Sequence, residues 1–252
     1  IVTNITEGAK KKVDNIQMAI EEDLVYELIR ERDVKKWVSS PSGYILITQN
    51  PKKRIGIDEN TLSLKYPKTY NYLVNFKEEL CNRSAYVRYF AGKAPFYTMF
   101  NIGEYTFSRI KVIWSRFDNQ MSASVVFSDT NKPPIPQETI TFIPVDNLNE
   151  AHFICALINS SPFNFTIQSF SLKGGKSFGT PSILKKVRVP KYDPLNSLHT
   201  QLSVLSMRAH QAISSNQLDI IDQIELEIDN FAAKVWSLDH DELLEIQESL
   251  RE

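Results

Sequence analysis

The clearest hydrophobic pattern lies in the C-terminal quarter of the chain. Over residues 195–212, and again over residues 221–235, apolar side chains recur at alternating spacings of three and four. This heptad-like spacing places them along one face of a helix. The short polar turn between the two runs therefore predicts an antiparallel helical hairpin. Asp239 and Glu242 have the spacing of a capping box, which predicts one more short helix.

Upstream of the hairpin, shorter patterns alternate between helix and strand. Apolar residues at helical spacing predict helices over residues 20–34, from about 68 to 80, and from a cap at Asn149 to about 160. Short apolar or alternating runs predict strands at residues 44–48, 110–114, 123–127, 139–145 and 183–189. Together these elements predict an α+β (mixed α/β) fold: a twisted, partly barrel-like β-sheet with flanking helices, followed by the helical hairpin.

Residues 83–117 interleave aromatic and basic side chains. The stretch holds ten aromatic and six basic residues, with Glu104 as its one acid. Aromatic rings can stack on nucleic-acid bases and cations can contact phosphates, so this composition suits a nucleic-acid surface. The alternative is a core hairpin with buried rings and solvated cations. Alternation along the strand predicts that Trp114 lies in the core and Lys111 on the opposite, DNA-facing side.

The distribution of charge favours a polyanionic partner. Residues 193–252 hold 12 acidic and 3 basic residues, whereas residues 1–192 hold 18 acidic and 26 basic ones. Such asymmetry is expected where one part of a chain meets a polyanion, although a solvated acidic hairpin would give the same count. The two cysteines, Cys81 and Cys155, provide neither a disulfide framework nor a zinc knuckle. We therefore expect a cytoplasmic protein without a metal site.

Motifs for catalysis are missing from the sequence. The GGKS at residues 174–177 resembles a phosphate-binding loop, but a P-loop needs a glycine at position 170, which is Phe. The alternatives for this loop are a phosphate contact through its backbone N–H groups and lysines, or a mobile surface loop. Lys132 interrupts the NKPPIP at residues 131–136, which fails as an Asn-Pro-Pro-aromatic motif. The chain is thus predicted to be a binding module.

Seven stretches, in order, resemble the target-recognition region that follows the catalytic domain in TaqI-like adenine-specific DNA methyltransferases and in single-chain restriction–modification enzymes. They are LIRERDVKKW (28–37), GYILIT (43–48), YPKTYNYLVNFKEELCNRS (66–84), APFYTMF with FSRIKVIW (94–114), LINSSPFNF (157–165), VRVPK (187–191) and IELEIDNFAAKVWSLDHDELLEI (224–246). The family's methyl-donor-binding and Asn-Pro-Pro-aromatic motifs do not occur in this sequence.

The resemblance implies sequence-specific binding of duplex DNA by a specificity domain detached from its catalytic domain. Residues 1–192 would form the DNA target-recognition domain, and residues 193–252 a helical hairpin that packs on it or acts as a spacer. No catalytic residue and no cofactor is expected on this chain, since S-adenosylmethionine would bind the missing catalytic domain. The expected partners are double-stranded DNA and that catalytic methyltransferase domain, and not a membrane.

The residues that we expect to contact DNA come from the segment before Trp37, from the aromatic and basic stretch at residues 83–117, and from the glycine loop around residues 173–176. They are Lys35, Lys36, Lys93, Tyr97, Arg109, Lys111, Lys173, Gly174, Gly175 and Lys176. A rival hypothesis is a protein-interaction module that docks through the helical hairpin. A third is an enzyme whose active site carries no recognised motif.

Overall fold

The computed structural model of the protein describes residues 1–7, 12–170 and 179–251. The chain forms two compact units. The first comprises Ile1–Tyr26 and Tyr44–Phe107, and the second comprises Glu27–Gly43 and Ser108–Glu252. This division reflects compactness alone, so the assignment of separate roles to residues 1–192 and 193–252 stays a prediction.

The secondary structure mixes short strands with helices. The strands are β1 (Val2–Thr3), β2 (Gln17–Met18), β3 (Val25–Ile29), β4 (Val34–Lys35), β5 (Val38–Ser39), β6 (Gly43–Leu46), β7 (Gln49–Asn50), β8 (Ile55–Gly56), β9 (Ile110–Ser115), β10 (Ala123–Phe127), β11 (Ile135–Pro136) and β12 (Ile140–Val145). The helices are α1 (Glu59–Lys65), α2 (Pro67–Val74), α3 (Lys77–Cys81), α4 (Ser84–Tyr89), α5 (Leu148–Asn159), α6 (Ser161–Phe170), α7 (Pro181–Leu184), α8 (Ser197–Ser214), α9 (Ile221–Val235) and α10 (His240–Ser249).

The α+β class is confirmed. The largest antiparallel sheet has the strand order β10-β9-β12, in which Val112 of β9 pairs with Val125 on one side and Ile143 on the other. The strand β11 pairs in parallel with β3. The strands of the described residues form five small sheets, and none of these closes into a barrel.

The core of the second unit lies between the β10-β9-β12 sheet and helix α5. Trp114 and Val112 on the sheet, Phe153 and Leu157 on α5, and Leu202 on α8 are all buried there. The opposite face of the same sheet carries a second buried cluster of Ile29, Val34, Ile113, Val126 and Ile140. The sheet is therefore covered on both faces, as expected for strands that read as continuous apolar runs.

The predicted helical hairpin is present as α8 and α9, and α10 follows it. The Asp239 carboxylate accepts from the N–H of Glu242 and the Glu242 carboxylate accepts from the N–H of Asp239, which completes the predicted capping box. The heptad residues Leu202, Ala209 and Ile228 are buried against the rest of the second unit. The apolar seam that would have served as a docking surface is thus already occupied.

Two predicted elements are wrong, and a third is divided into two helices. Residues 20–34 form a 3-10 turn at Glu22–Leu24, the strand β3 and a second 3-10 turn at Glu31–Asp33, because pairing with β11 overrides the helical spacing. The helix over 68–80 breaks after α2, where the Asn75 side-chain amide donates to the carbonyls of Asn71 and Tyr72.

Residues 183–189 form no strand: α7 begins at Pro181, and proline is favourable in a first helical turn. In addition, α5 is capped by Asn147 rather than Asn149.

Candidate nucleic-acid interface

Three of the predicted DNA contacts have exposed side chains. Lys93 follows α4 in the first unit, whereas Lys35 on β4 and Arg109 before β9 belong to the second. The Arg109 Nε donates to the Ser128 carbonyl at 3.0 Å, and its guanidinium lies 6.0 Å from the centre of the Phe127 ring. All three cations remain accessible to solvent, and their contact with DNA stays a prediction.

Lys36 forms an ion pair with a glutamate of the helical hairpin. Its Nζ lies 2.7 Å from Oε2 of Glu225 on α9, and the Trp37 Nε1 donates to Oε1 of the same carboxylate at 2.6 Å. Trp37 itself is buried, with a φ of 66°. Lys36 would have to exchange this ion pair for a phosphate in order to bind DNA, which weakens its expected contribution.

The prediction that Lys111 faces DNA is wrong. Its side chain is 0% exposed, and its Nζ donates to the carbonyls of Ser108 at 2.6 Å and Pro134 at 3.2 Å. Burial lowers the pKa of the Lys111 ammonium to about 8. The strand β9 is central in a sheet that is covered on both faces. Its side chains alternate between these two faces, and both sets are therefore buried. Trp114 lies in the core, as predicted.

Tyr97 is also buried, so the expectation that it faces DNA is wrong. It lies with Phe96 and Tyr86 in the core of the first unit, and its hydroxyl donates to the Ile57 carbonyl. Burial raises the pKa of the Tyr97 phenol. The β7–β8 hairpin covers this ring, since a Cβ on Gly56 would stand 2.9 Å from it. Nothing in the local sequence signals that cover.

Lys173, Gly174, Gly175 and Lys176 lie outside the described residues, so their contact with phosphate stays a prediction. The residue that begins the next described segment, Gly179, is fixed to the sheet. Its carbonyl accepts from the Trp114 Nε1 at 2.9 Å and from the Thr141 Oγ1 at 3.1 Å. A Cβ at Gly179 would stand 2.5 Å from the Ser115 carbonyl oxygen, so glycine is required at this close approach.

The predicted contacts omit a basic turn of the first unit. Lys52, Lys53 and Arg54 are exposed in the turn between β7 and β8, where the Asn50 Oδ1 accepts from the N–H groups of Lys52 and Lys53. Arg54 has a φ of 54°, and its guanidinium lies 5.5 Å from the centre of the Tyr105 ring. The local turn chemistry thus presents three adjacent cations to solvent.

Tyr105 connects this turn to a second left-handed residue. Its hydroxyl lies 2.8 Å from the Oδ1 of Asn101, whose φ is 61°. The backbone approaches so closely here that a Cβ on Gly103 would stand 2.8 Å from the Tyr105 ring and 3.1 Å from the Arg54 Nε. Two turns in sparsely populated conformations are therefore held together around one aromatic ring, and such strain is often found at binding sites.

An exposed aromatic pair includes Phe100, the residue that precedes Asn101 in the chain. Phe100 is 53% exposed and Tyr89 is 43% exposed, and their rings stack with centroids 4.8 Å apart and planes 19° apart. The Arg88 guanidinium lies 5.2 Å from the centre of the Tyr89 ring. We call the surface formed by these contacts the aromatic–basic patch, and its residues are Lys52, Lys53, Arg54, Arg88, Tyr89, Phe100, Asn101 and Tyr105. It combines cations with accessible ring faces, which is what binding of nucleic acid requires.

Two histidines of the second unit have hydrogen-bond partners within it. His210 accepts from the Val125 N–H through Nε2, and its Nδ1 lies 2.7 Å from the Ser206 carbonyl. His152 Nδ1 lies 3.0 Å from the Ser206 Oγ, and burial together with the neighbouring His210 lowers its pKa to about 3. Within residues 1–7, 12–170 and 179–251, no three His, Cys, Asp or Glu side chains are grouped to hold a metal, and no helix is long and apolar enough to cross a membrane.

Two curated proteins resemble the chain in sequence, while no protein-family model matches it. It is 28% identical over 143 residues to the type II methyltransferase M.NspV of Nostoc sp., an alignment that covers 56% of this chain and 28% of that protein. It is 23% identical over 179 residues to the type II methyltransferase M.MjaIV of Methanocaldococcus jannaschii, covering 68% of this chain and 56% of that protein.

A solved structure shares the fold. The type IIL restriction–modification enzyme MmeI, determined in complex with DNA, superposes with a TM-score of 0.60 at 10% identity, covering 90% of this chain and 31% of MmeI. The chain is thus similar in sequence to parts of two type II methyltransferases and shares its fold with part of a restriction–modification enzyme. It spans 28% and 56% of the lengths of the two related methyltransferases.

Proposed function

We propose that this chain is the DNA target-recognition part of an adenine-specific methyltransferase or restriction–modification enzyme. The observation that carries the proposal is the aromatic–basic patch, in which exposed cations lie beside accessible aromatic rings at the surface of the first unit. The relationship to type II methyltransferases supports the reaction class, and the fold shared with an enzyme solved on DNA supports the ligand.

In this proposal, the chain positions the enzyme and a separate domain performs the chemistry. Lys52, Lys53, Arg54 and Arg88 contact phosphates and fix the register, and side chains that reach the grooves select the bases. S-adenosylmethionine binds the separate catalytic domain, which extrudes an adenine from the duplex in the cytoplasm. Extrusion costs a few kcal/mol of stacking, and the contacts made by this chain help to offset that cost.

Exposed cations outside the patch are further phosphate contacts in this proposal. Lys93 of the first unit is accessible, and so are Lys35 and Arg109 of the second. Lys36 contributes less, because Glu225 already neutralises it. Lys173 and Lys176 remain candidates for phosphate contact through the glycine loop.

The salt dependence of duplex binding tests the proposal. We expect the full chain to bind a fluorescent duplex, with log K falling linearly with log[salt] by about 0.9 per phosphate contact. The double variant Lys52→Ala/Lys53→Ala should make this slope shallower by roughly two such contacts. The matched control is Lys65→Ala/Lys68→Ala, which removes the same charge from exposed positions of α1 and α2, outside the patch.

Selection from a library of random duplexes then tests specificity. We expect a short enriched motif for the wild-type chain, since base contacts distinguish a target-recognition domain from a general DNA binder. The proposal is refuted by a flat salt response, by equal effects of the two double variants, or by a selection that enriches no motif.

A further inference from the structure

We infer that Tyr89 and Phe100 form a stacking site for an unpaired nucleobase of the bound DNA. This inference rests on the proposed function, because the base arrives as part of a duplex held by the surrounding cations. The two rings are parallel to within 19° at 4.8 Å, and both are substantially exposed. A flat base that covers Phe100 would extend this stack by one more layer.

The pair is not required by the core of the first unit. That core is filled by Leu62, Leu73, Tyr86, Phe96 and Tyr97, all of them buried. Phe100 comes three residues after Tyr97 in the chain, yet more than half of its surface remains in water. The two exposed rings contact each other, and a cation, Arg88, lies beside them.

The backbone holds Phe100 outward at a defined place. Asn101, the next residue, has a φ of 61°, and Tyr105 lies within hydrogen-bonding distance of its side chain. The close approach at Gly103 leaves no room for a side chain, which fixes the same turn from the other end. A ring that is already oriented by stacking and by a rigid turn loses little conformational entropy on binding a ligand.

The chemistry around the pair selects a nucleotide. Arg88 lies 5.2 Å from the centre of the Tyr89 ring, and Tyr105 connects Phe100 through Asn101 to Arg54 and the basic turn. A ligand that is flat, aromatic and attached to anionic groups fits both features. In an intact duplex the faces of a base are covered by its neighbours, so only a base that has left the stack can present a face to Phe100.

The test compares two duplexes of identical sequence, one intact and one with a single-base bulge, by anisotropy with the full chain. We expect the wild-type chain to prefer the bulged duplex, and Phe100→Ala to reduce that preference, the ratio of the two affinities, roughly 5- to 100-fold. Phe100→Trp should keep the preference, because it restores a ring face. Phe117→Ala, which removes an equally exposed phenylalanine of the second unit, is the control and should behave as wild type.

The outcomes separate this inference from the proposed function. If the wild-type chain binds both duplexes equally, or if Phe100→Ala weakens both equally, the stacking site is refuted while DNA binding stands. If the wild-type chain binds neither duplex, the proposed function is refuted, and the stacking site is refuted with it. Circular dichroism and thermal unfolding of each variant establish that the fold is intact.

Discussion

Replacing Lys111 by methionine should abolish a pH dependence of stability that this one buried side chain creates. The ammonium is 0% exposed, and its pKa falls from an ordinary 10.5 to about 8 through loss of hydration. Lowering a pKa by one unit corresponds to about 1.4 kcal/mol, so the lowered pKa of Lys111 means that its charged form destabilises the native state by roughly 3 kcal/mol at neutral pH. Methionine keeps the length and the packing of the stem without the charge.

The sign of the effect follows from proton binding. Below pH 8 the lysine is protonated in both the native and the unfolded state, and the full desolvation penalty is present. Between pH 8 and 10.5 the unfolded state binds more protons than the native state, so the free energy of unfolding rises with pH. The difference in this free energy, wild type minus Lys111→Met, should therefore increase by about 2 to 3 kcal/mol between roughly pH 7 and pH 10.

At neutral pH the two proteins should have similar stability. Methionine relieves the desolvation penalty, but it leaves the carbonyls of Ser108 and Pro134 without the donors that Lys111 supplies. Buried groups that lose a partner cost about 1–3 kcal/mol, which is comparable with the penalty removed. Above about pH 10 only the loss remains, and the variant should be clearly less stable than the wild type.

Urea unfolding followed by tryptophan fluorescence at pH 7, 8, 9 and 10 measures this difference directly. The contributions of ionisable groups that both proteins share cancel in the comparison. Lys35→Met is the control, because it makes the same substitution at an exposed lysine of the second unit. Curves for wild type and Lys111→Met that stay parallel from pH 7 to pH 10 would show that the lysine is solvated and that its assignment to the core is wrong.

Two further predictions concern the interior of the second unit. His152 is buried in its neutral form with a pKa of about 3, so above that pH it takes up its proton only on unfolding. Acidification from pH 6.5 to pH 3 should therefore lower the free energy of unfolding by roughly 4 kcal/mol through this residue. His152→Gln should remove this loss in acid melts, and an acid midpoint equal to that of the wild type would contradict the prediction. The Asp229 carboxylate accepts hydrogen bonds from the N–H and hydroxyl of Ser161, at the start of α6, and from Gln247. Asp229→Ala should therefore lower the free energy of unfolding by about 1–3 kcal/mol in urea titrations. A stability equal to that of the wild type would show that water replaces these hydrogen bonds.

The helical hairpin and the central strands are the parts of the fold that could be predicted from the sequence. Their signals are local: heptad spacing over α8 and α9, the Asp239–Glu242 capping box, and short apolar runs at β9, β10 and β12. Each signal depends on contacts within one element or between neighbouring elements. Residues 20–34 carried a comparable signal for a helix, and there the pairing of β3 with the distant β11 prevailed.

The candidate site was located only in part. The mixture of aromatic and basic residues over 83–117 indicated a nucleic-acid surface, and this stretch does contain Arg88, Tyr89 and Phe100 of the aromatic–basic patch. The sequence could not sort these rings from buried Tyr97, because the cover over Tyr97 comes from the β7–β8 hairpin, about 40 residues earlier in the chain. The basic turn at Lys52 entered the site only because Tyr105 brings the two segments together.

Sequence alone thus determined which residue types are available and which local elements form, since propensity, capping and periodicity act over a few residues. The exposure of each side chain was decided by the tertiary structure. Lys111 shows why: alternation along β9 correctly opposes it to Trp114, but whether the opposite face meets water depends on what covers it. The cover contains Ile29 and Val34, from the very segment that was predicted to be a helix. Burial depends on long-range contacts. Because residues 20–34 were predicted to be a helix, the strands that cover Lys111 were missed, and Lys111 was expected to contact DNA.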